Sequence, residues 1–200
     1  MLYIHDLQDF QELKDSADGG CCEDRLELAK HYLHGSAYAE QNTNKGFGLL
    51  VKSALAHYPQ AKMLLAEIYA EGFTGNDGVV LEQDKPLAFS MFDQLRADGQ
   101  LTSQNRAKAT EQVALLYQDK SIQAFKNLNP DHASTMSFLY MEEAALEGSL
   151  SAQYEQGMMY KDGVGVSQNI GLAQYMLVRS ANLGYEPSVL ELTRNPSLYC

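Results

Sequence analysis

The sequence lacks tryptophan, holds only three cysteines, and has few basic side chains, with 15 Lys and Arg against 26 Asp and Glu. The resulting net charge of -11 argues against nucleic acid as a partner, because binding to phosphates needs a cationic face. It also argues against binding to an anionic membrane surface. A partner with a basic surface is electrostatically favoured.

Long apolar runs are missing as well. No stretch approaches the roughly 18–20 apolar residues that a membrane span needs. The first residues show no basic segment followed by an apolar one, so we expect no secretory signal. Cys21, Cys22 and Cys200 are odd in number, and two of them are adjacent, which makes a poor disulfide framework. These absences together predict a cytoplasmic protein.

The chain instead contains a frame that recurs around tyrosine. A small residue three positions before a tyrosine and a glycine three positions after it recur in residues 29–35, 66–72 and 157–163. A weaker copy surrounds Tyr117, with Lys120 in place of the glycine. Apolar residues at helical spacing follow each frame. The pattern predicts units of helix A, turn, helix B, with the tyrosine as a core residue near the end of helix A.

Residues at the ends of the B helices support this division. Asparagine or aspartate precedes three of these helices as a predicted N-cap, at Asn42, Asp84 and Asn169. Glycine follows three of them as a predicted left-handed C-terminal end, at Gly99, Gly148 and Gly184. The extra residues of the longer units, 73–83 and 119–130, are predicted to lengthen loops between helices A and B.

The clearest unit resembles the Sel1-like repeat family, which is related to tetratricopeptide arrays. The matching residues are Ala144, Ala145, Gly148, Ala152, Gly157, Tyr160, Gly163, Gly165, Val166, Asn169, Ala173, Ala181 and Gly184. The resemblance implies an all-α fold, a right-handed α-solenoid of about four helix-turn-helix repeats with N- and C-terminal capping helices. The expected organisation is a single solenoid domain over 1–200, with an N-terminal cap helix at 1–20, repeats at 21–58, 59–100, 101–148 and 149–185, and a C-terminal cap and tail at 186–200.

Motifs for catalysis and for metal binding are incomplete. Gly163-Val164-Gly165 lacks the strand and the Gly-Lys-Ser/Thr of a phosphate loop, and it is interpreted as a turn. His31 and His34 lack the third and fourth ligands of a metal site. Some relatives bind or hydrolyse β-lactams, yet no lysine here has the serine three residues earlier that acylation of that type requires. The sequence therefore predicts a non-catalytic protein without cofactor or metal.

The resemblance implies that the A helices line a concave face. Positions five before, two before and two after each tyrosine are predicted to point into it: Glu27, Lys30, His34, Leu64, Glu67, Glu71, Gln112, Leu115, Asp119, Glu155, Met158 and Asp162. This row is acidic with a few apolar members, which predicts a groove for a protein or peptide of basic character. A solvated acidic face without a partner, a small-ligand or β-lactam-type binding protein or hydrolase, and a self-assembling subunit remain open alternatives.

Overall fold

Short helices account for nearly all regular structure in the computed structural model, which describes residues 7–99 and 101–196. The helices in these ranges are α1 (Leu7–Asp18), α2 (Cys22–His34), α3 (Thr43–Leu55), α4 (Pro59–Glu71), α5 (Lys85–Arg96), α6 (Ser103–Tyr117), α7 (Lys120–Phe125), α8 (Pro130–Leu146), α9 (Leu150–Asp162), α10 (Ile170–Asn182) and α11 (Glu186–Arg194). The predicted all-α class is confirmed. None of these described helices is long and apolar enough to cross a membrane.

The chain divides into two compact units between Met91 and Phe92, inside α5. In the first unit, α1 packs on α2, α2 on α3 and α3 on α4. Phe10 and Leu13 of α1 are buried with Leu28 and Tyr32 of α2 in one apolar cluster. Residues 1–6 of the predicted N-terminal cap lie outside the described residues.

Close contact between α2 and α3 depends on a glycine. A Cβ atom at Gly46 would lie 2.8 Å from the backbone N of Leu33 and 2.9 Å from the carbonyl oxygen of Ala29. Such distances are shorter than real Cβ contacts, so any side chain at this position would push the two helices apart.

In the second unit, α6 packs on α8, α8 on α9, α9 on α10 and α10 on α11. Its main core contains Ala114, Met141 and Met159, with Tyr160 packed against it. The ring of Tyr160 meets Phe138 edge-on at 5.2 Å between centroids. The tyrosine of this frame is therefore partly buried and packs against the core, which agrees with the prediction of a structural role.

The predicted N-caps are confirmed. The side chains of Asn42, Asp84 and Asn169 each accept a hydrogen bond from the backbone N–H three residues later, at 2.9 to 3.0 Å. These bonds satisfy N–H groups that have no partner within the helix, and so they determine where α3, α5 and α10 begin.

The predicted glycine ends are confirmed at two positions and wrong at the third. Gly148 and Gly184 have φ values of 100° and 88°, which place them in the left-handed region. The φ of Gly99 lies outside that region. Helix α5 has already ended at Arg96, where the N–H of Asp98 donates to the carbonyl of Leu95 at 3.1 Å. A glycine further along is therefore not needed to stop it.

Both long A–B connections contain regular structure that the sequence did not predict. Residues 73–81 form an antiparallel hairpin, β1 (Phe73–Thr74) and β2 (Val80–Leu81), with Phe73 opposite Leu81. The other connection contains α7, which Asp119 caps by accepting from the N–H of Ser121 at 2.8 Å. The shorter turn of Gly163-Val164-Gly165 is confirmed, with φ of 72° and 71° at its glycines.

Candidate functional site

A surface cleft of the second unit lies between the first half of α6, the turn from α8 to α9, and Tyr185 before α11. Its volume is about 800 Å³, which is enough for a large side chain or a short peptide segment. Polar and charged side chains line much of it, among them Lys108, Glu111, Gln112 and Ser151.

Glu111 of α6 is held by two serines at the start of α9. The hydroxyls of Ser149 and Ser151 each donate to its Oε2 atom, both at 2.8 Å. Ser149 is also the N-cap of α9, and its hydroxyl oxygen accepts from the N–H of Ala152 at 3.1 Å. One carboxylate therefore joins two neighbouring A helices and has a defined position in the cleft.

Glu155 lies one helical turn after Ser151, and it is close enough to Glu111 for their charges to interact. Burial, followed by the negative charge of Glu111, raises the pKa of Glu155 above its ordinary value. Within residues 7–99 and 101–196, no lysine, arginine or histidine forms an ion pair with either carboxylate. Glu111 in the cleft and Glu155 beside it are thus two acids whose repulsion a cation would relieve.

Tyr154 and Tyr185 lie beside these two acids. Together with Glu111, Glu155, Ser149 and Ser151 they form what we call the acidic corner. The rings of Tyr154 and Tyr185 lie 5.8 Å apart between centroids and are inclined by 52°. The pKa of Tyr185 is raised by burial and then by the charges of Glu111 and Glu155. Aromatic faces beside carboxylates favour an ammonium or guanidinium group, because both attract positive charge.

Most of the other described residues that line the cleft are polar or charged. Glu147 at its edge is ion-paired with Arg106. Among the described residues that line it are serines and one lysine but neither histidine nor cysteine.

The predicted residues of α2 belong to the first unit. Glu27 and Lys30 form an ion pair at 3.1 Å, with both side chains partly exposed. They line a small pocket of about 160 Å³ that also contacts Tyr58. His34 is exposed, and its ring meets Phe73 edge-on at 5.6 Å.

The predicted residues of α4 belong to the same unit. Leu64 and Glu67 are partly buried, whereas Glu71 at the last position of the helix is exposed.

In the second unit, one of the predicted residues, Gln112, lines the cleft, and another, Glu155, is close enough to the lining residue Glu111 for their charges to interact. Leu115, one turn further along α6, is 38% exposed. Asp119 uses its carboxylate to cap α7.

The remaining two predicted residues lie further along α9. Met158 is partly buried and packs against Leu177 and Leu192. Asp162 is exposed at the last position of the helix.

Sequence reasoning missed most of the acidic corner. Glu111, Ser151, Tyr154 and Tyr185 lie outside the three frame positions that were predicted to face a groove. Only Ser149 carried a local signal, because serine before an apolar helical pattern is a typical N-cap.

The remaining residues that were considered for metal binding are His31, Cys21 and Cys22. The ring of His31 meets Phe10 edge-on at 5.4 Å. Cys21 and Cys22 are free thiols, one exposed and the other partly buried. No group of three or more His, Cys, Asp or Glu able to hold a metal ion occurs among the residues the structure describes.

Comparison with known proteins agrees with this architecture. The Sel1 repeat family model matches residues 25–58 and 150–185. No curated protein matches the chain in sequence.

Two solved structures share the fold. A Sel1 repeat protein from Oxalobacter formigenes has a TM-score of 0.72 and 21% identity, and the match covers 93% of this chain and 68% of the other. A protective antigen of uropathogenic Escherichia coli strains, which displays an SLR fold, has a TM-score of 0.70 and 20% identity over 93% of this chain and 36% of its own. The two matched segments and the fold shared with these structures show that this chain contains Sel1-like repeats and has an all-α solenoid fold.

Proposed function

We propose that this chain is a non-catalytic binding module whose second unit receives a basic side chain of a protein partner in the cleft beside α6 and α9. Sel1 repeat proteins generally mediate protein–protein interactions and generally act as scaffolds without catalysis. The observation that carries the finer proposal is the pair Glu111, which lines the cleft, and Glu155 beside it. Neither acid forms an ion pair among the described residues, although Lys108 also lines the cleft.

The energetic argument rests on the state of Glu155. The carboxyl group of Glu155 is partly buried, and the negative charge of Glu111 repels its ionised form. The ionised form therefore has a higher free energy than it would have in water. A lysine or arginine of the partner would reduce this free energy on binding. An ion pair formed in a partly buried cleft is also screened less by salt than one on an open surface.

The arrangement of donors and rings favours a side chain that carries several N–H groups. The two serines occupy Oε2 of Glu111, and its Oε1 atom can accept from an incoming donor. Tyr185 can contact the same cation through its ring face. Arginine satisfies both requirements, since its planar guanidinium donates in two directions and stacks on aromatic rings.

Affinity capture with variants that keep the shape of the cleft tests the proposal. Purified wild type and the double variant Glu111→Gln with Glu155→Gln are each used to capture partners from source cells, and bound proteins are identified by mass spectrometry. We expect one or more partners to be lost with the double variant and to be released from wild type by rising salt concentration.

A matched control removes two charges elsewhere. Glu12→Gln with Asp15→Asn neutralises two exposed acids of α1 and should leave capture unchanged. Equal capture by the cleft variant and by wild type would contradict the proposal. A partner lost equally in the cleft and control variants would show dependence on net charge alone.

The acidic residues of α4 form a separate part of the proposed binding surface. Charge reversal by Glu67→Lys with Glu71→Lys tests their contribution without changing the cleft. If the partner contacts both regions, we expect this variant to weaken capture. Unchanged capture would confine the binding surface to the second unit.

A further inference from the structure

The residue directly after each frame tyrosine has its carbonyl group at the C-terminal end of a helix A. The last carbonyl groups of a helix have no amide partner within it and need donors from elsewhere. At each of the four frames a glutamine side chain is such a donor. The Nε2 atoms of Gln41, Gln83, Gln123 and Gln168 donate to the carbonyl oxygens of Leu33, Ala70, Gln118 and Lys161, at 2.5, 2.5, 3.3 and 2.8 Å.

At three of the frames a second hydrogen bond runs beside the first. The glutamine there directly precedes the N-cap residue of helix B, in the pairs Gln41-Asn42, Gln83-Asp84 and Gln168-Asn169. The N–H groups of these N-cap residues donate to the carbonyl oxygens of Tyr32, Tyr69 and Tyr160, at 2.8, 2.7 and 2.8 Å. Two adjacent residues thus satisfy two consecutive carbonyl groups of helix A, and we call this pair of hydrogen bonds the glutamine clasp.

The frame glycine begins the same connection in the same way each time. Gly35, Gly72 and Gly163 have φ values of 74°, 76° and 72°, so each turns the chain through the left-handed region at the end of helix A. A Cβ atom on any of them would lie 3.4 to 3.8 Å from the Cβ atom of the clasp glutamine. The start and the end of the connection therefore lie in contact.

The number of residues between these two ends varies. Five residues separate Gly35 from Gln41, and four separate Gly163 from Gln168. Ten residues separate Gly72 from Gln83, and they include the β1–β2 hairpin. We propose that the glutamine clasp, and not the residues inside the connection, closes each of these pairs of helices A and B, so that the connection can carry an insert without a change in the pair.

The chemistry of the amide fits this role. Glutamine is neutral and donates through Nε2, whereas an ionised glutamate would have no hydrogen to donate and would add a negative charge beside the negative end of the helix dipole. Gln41 uses its second amide atom as well, since its Oε1 accepts from the backbone N–H of Asn76 at 2.9 Å. The hairpin thus binds the clasp of the preceding helix pair, a contact that is separate from the closing of its own pair.

Hydrogen exchange of the N-cap amides, measured by NMR, tests the clasp. Gln168→Ala should speed exchange of the Asn169 N–H about tenfold, because loss of the neighbouring bond lets the connection open, and it should leave the Asp84 N–H unchanged. Gln83→Ala should have the reverse effect, so each variant is the control for the other. Gln168→Glu should behave like Gln168→Ala at neutral pH, and slow exchange in the glutamate variant would contradict donation by the amide.

A loop exchange tests the independence from length. Residues 73–82 are replaced by Val-Gly-Val-Ser, the four residues that separate Gly163 from Gln168. We expect this chimera to keep the helical circular dichroism spectrum and slow exchange of the N–H of Asp84, and to lose that slow exchange when Gln83→Ala is added.

Two results would overturn the proposal. One is exchange at wild-type rates in both Gln83→Ala and Gln168→Ala. The other is a chimera that does not fold, or that exchanges at Asp84 as fast as Gln83→Ala does, because the hairpin itself would then close the connection.

Discussion

Asp77 in the turn of the β1–β2 hairpin binds both polar groups of Thr43 at the start of α3. Its carboxylate accepts from the backbone N–H of Thr43 at 2.7 Å and from the hydroxyl at 2.8 Å. The loop that lengthens one repeat thereby caps a helix that lies 34 positions earlier in the chain. These bonds, above all the one from the backbone N–H, lower the pKa of Asp77 below its ordinary value.

The Asp77 contact should make the stability of the first unit dependent on pH. Because the pKa is lower in the folded state, the stabilisation is present above the ordinary value and is lost as the pH falls through the lowered one. We expect Asp77→Asn to lower the melting temperature at neutral pH, and to differ less from wild type in acid. Thermal melts of both proteins from neutral to acidic pH measure this.

Glu82→Gln is the control for the Asp77 experiment. Glu82 is an exposed acid in the same connection, and its neutralisation should change the melting temperature little. A difference between Asp77→Asn and wild type that is the same at all pH values would contradict the electrostatic explanation.

Two glycines of α3 should respond in opposite ways to alanine. Gly46→Ala forces a Cβ atom against α2, and it should lower the free energy of unfolding by about 1–3 kcal/mol. A Cβ atom at Gly48 meets nothing within 4 Å, so Gly48→Ala should raise that free energy by about 0.5–1 kcal/mol through better helix propensity. Urea unfolding of the two variants measures both values, and equal stabilities would show that α2 and α3 pack less closely than described.

A polar residue of α9 occupies a core position that is apolar in the other three repeats. Gln156 stands four residues before its frame tyrosine, where the other units have Leu28, Leu65 and Val113, all buried. Its side chain is 1% exposed, and neither amide atom has a hydrogen-bond partner in the described part of the protein.

Replacement of Gln156 by leucine should therefore stabilise the second unit. We expect Gln156→Leu to raise the free energy of unfolding by about 1–3 kcal/mol, because it removes a buried amide that lacks partners. The reciprocal change Leu65→Gln should lower it by at least a similar amount. Chemical denaturation measures both, and a loss of stability in Gln156→Leu would mean that the amide is satisfied in solution.

The raised pKa of Glu155 predicts the opposite pH dependence to that of Asp77. A carboxyl whose pKa is higher in the folded state destabilises the fold when ionised, so wild-type stability should fall as the pH rises from the ordinary glutamate value through the raised one. Glu155→Gln should be more stable than wild type at neutral pH and equal to it in acid.

Unfolding curves of wild type and Glu155→Gln at several pH values measure this dependence. Glu142→Gln in α8 serves as the matched control and should show no such gain. If the free energies of unfolding of Glu155→Gln and wild type differed by the same amount at every pH, the effect would come from packing and not from charge.

The repeated frame allowed much of the fold to be predicted from sequence. The caps at Asn42 and Asn169 depend on residues three positions away, so their local pattern was sufficient, and the packing of Tyr160 against the core was predicted from the recurrence of its frame. Gly99 was predicted incorrectly because the same frame could not show that α5 stops three residues earlier. The hairpin and α7 were not predicted because the loops that contain them have no counterpart in the other repeats.

The amino-acid sequence by itself determined the helix pairs, most of their ends and the acidic character of the chain, because hydrogen bonding and apolar spacing within a helix involve near neighbours. Only the tertiary structure decided which acids lie near each other. Glu111 meets Ser149 across 38 positions and repels Glu155 across a similar distance along the chain. Such contacts depend on how α6 and α9 stand relative to each other, since the surroundings of a charge are set by the side chains that packing brings near it.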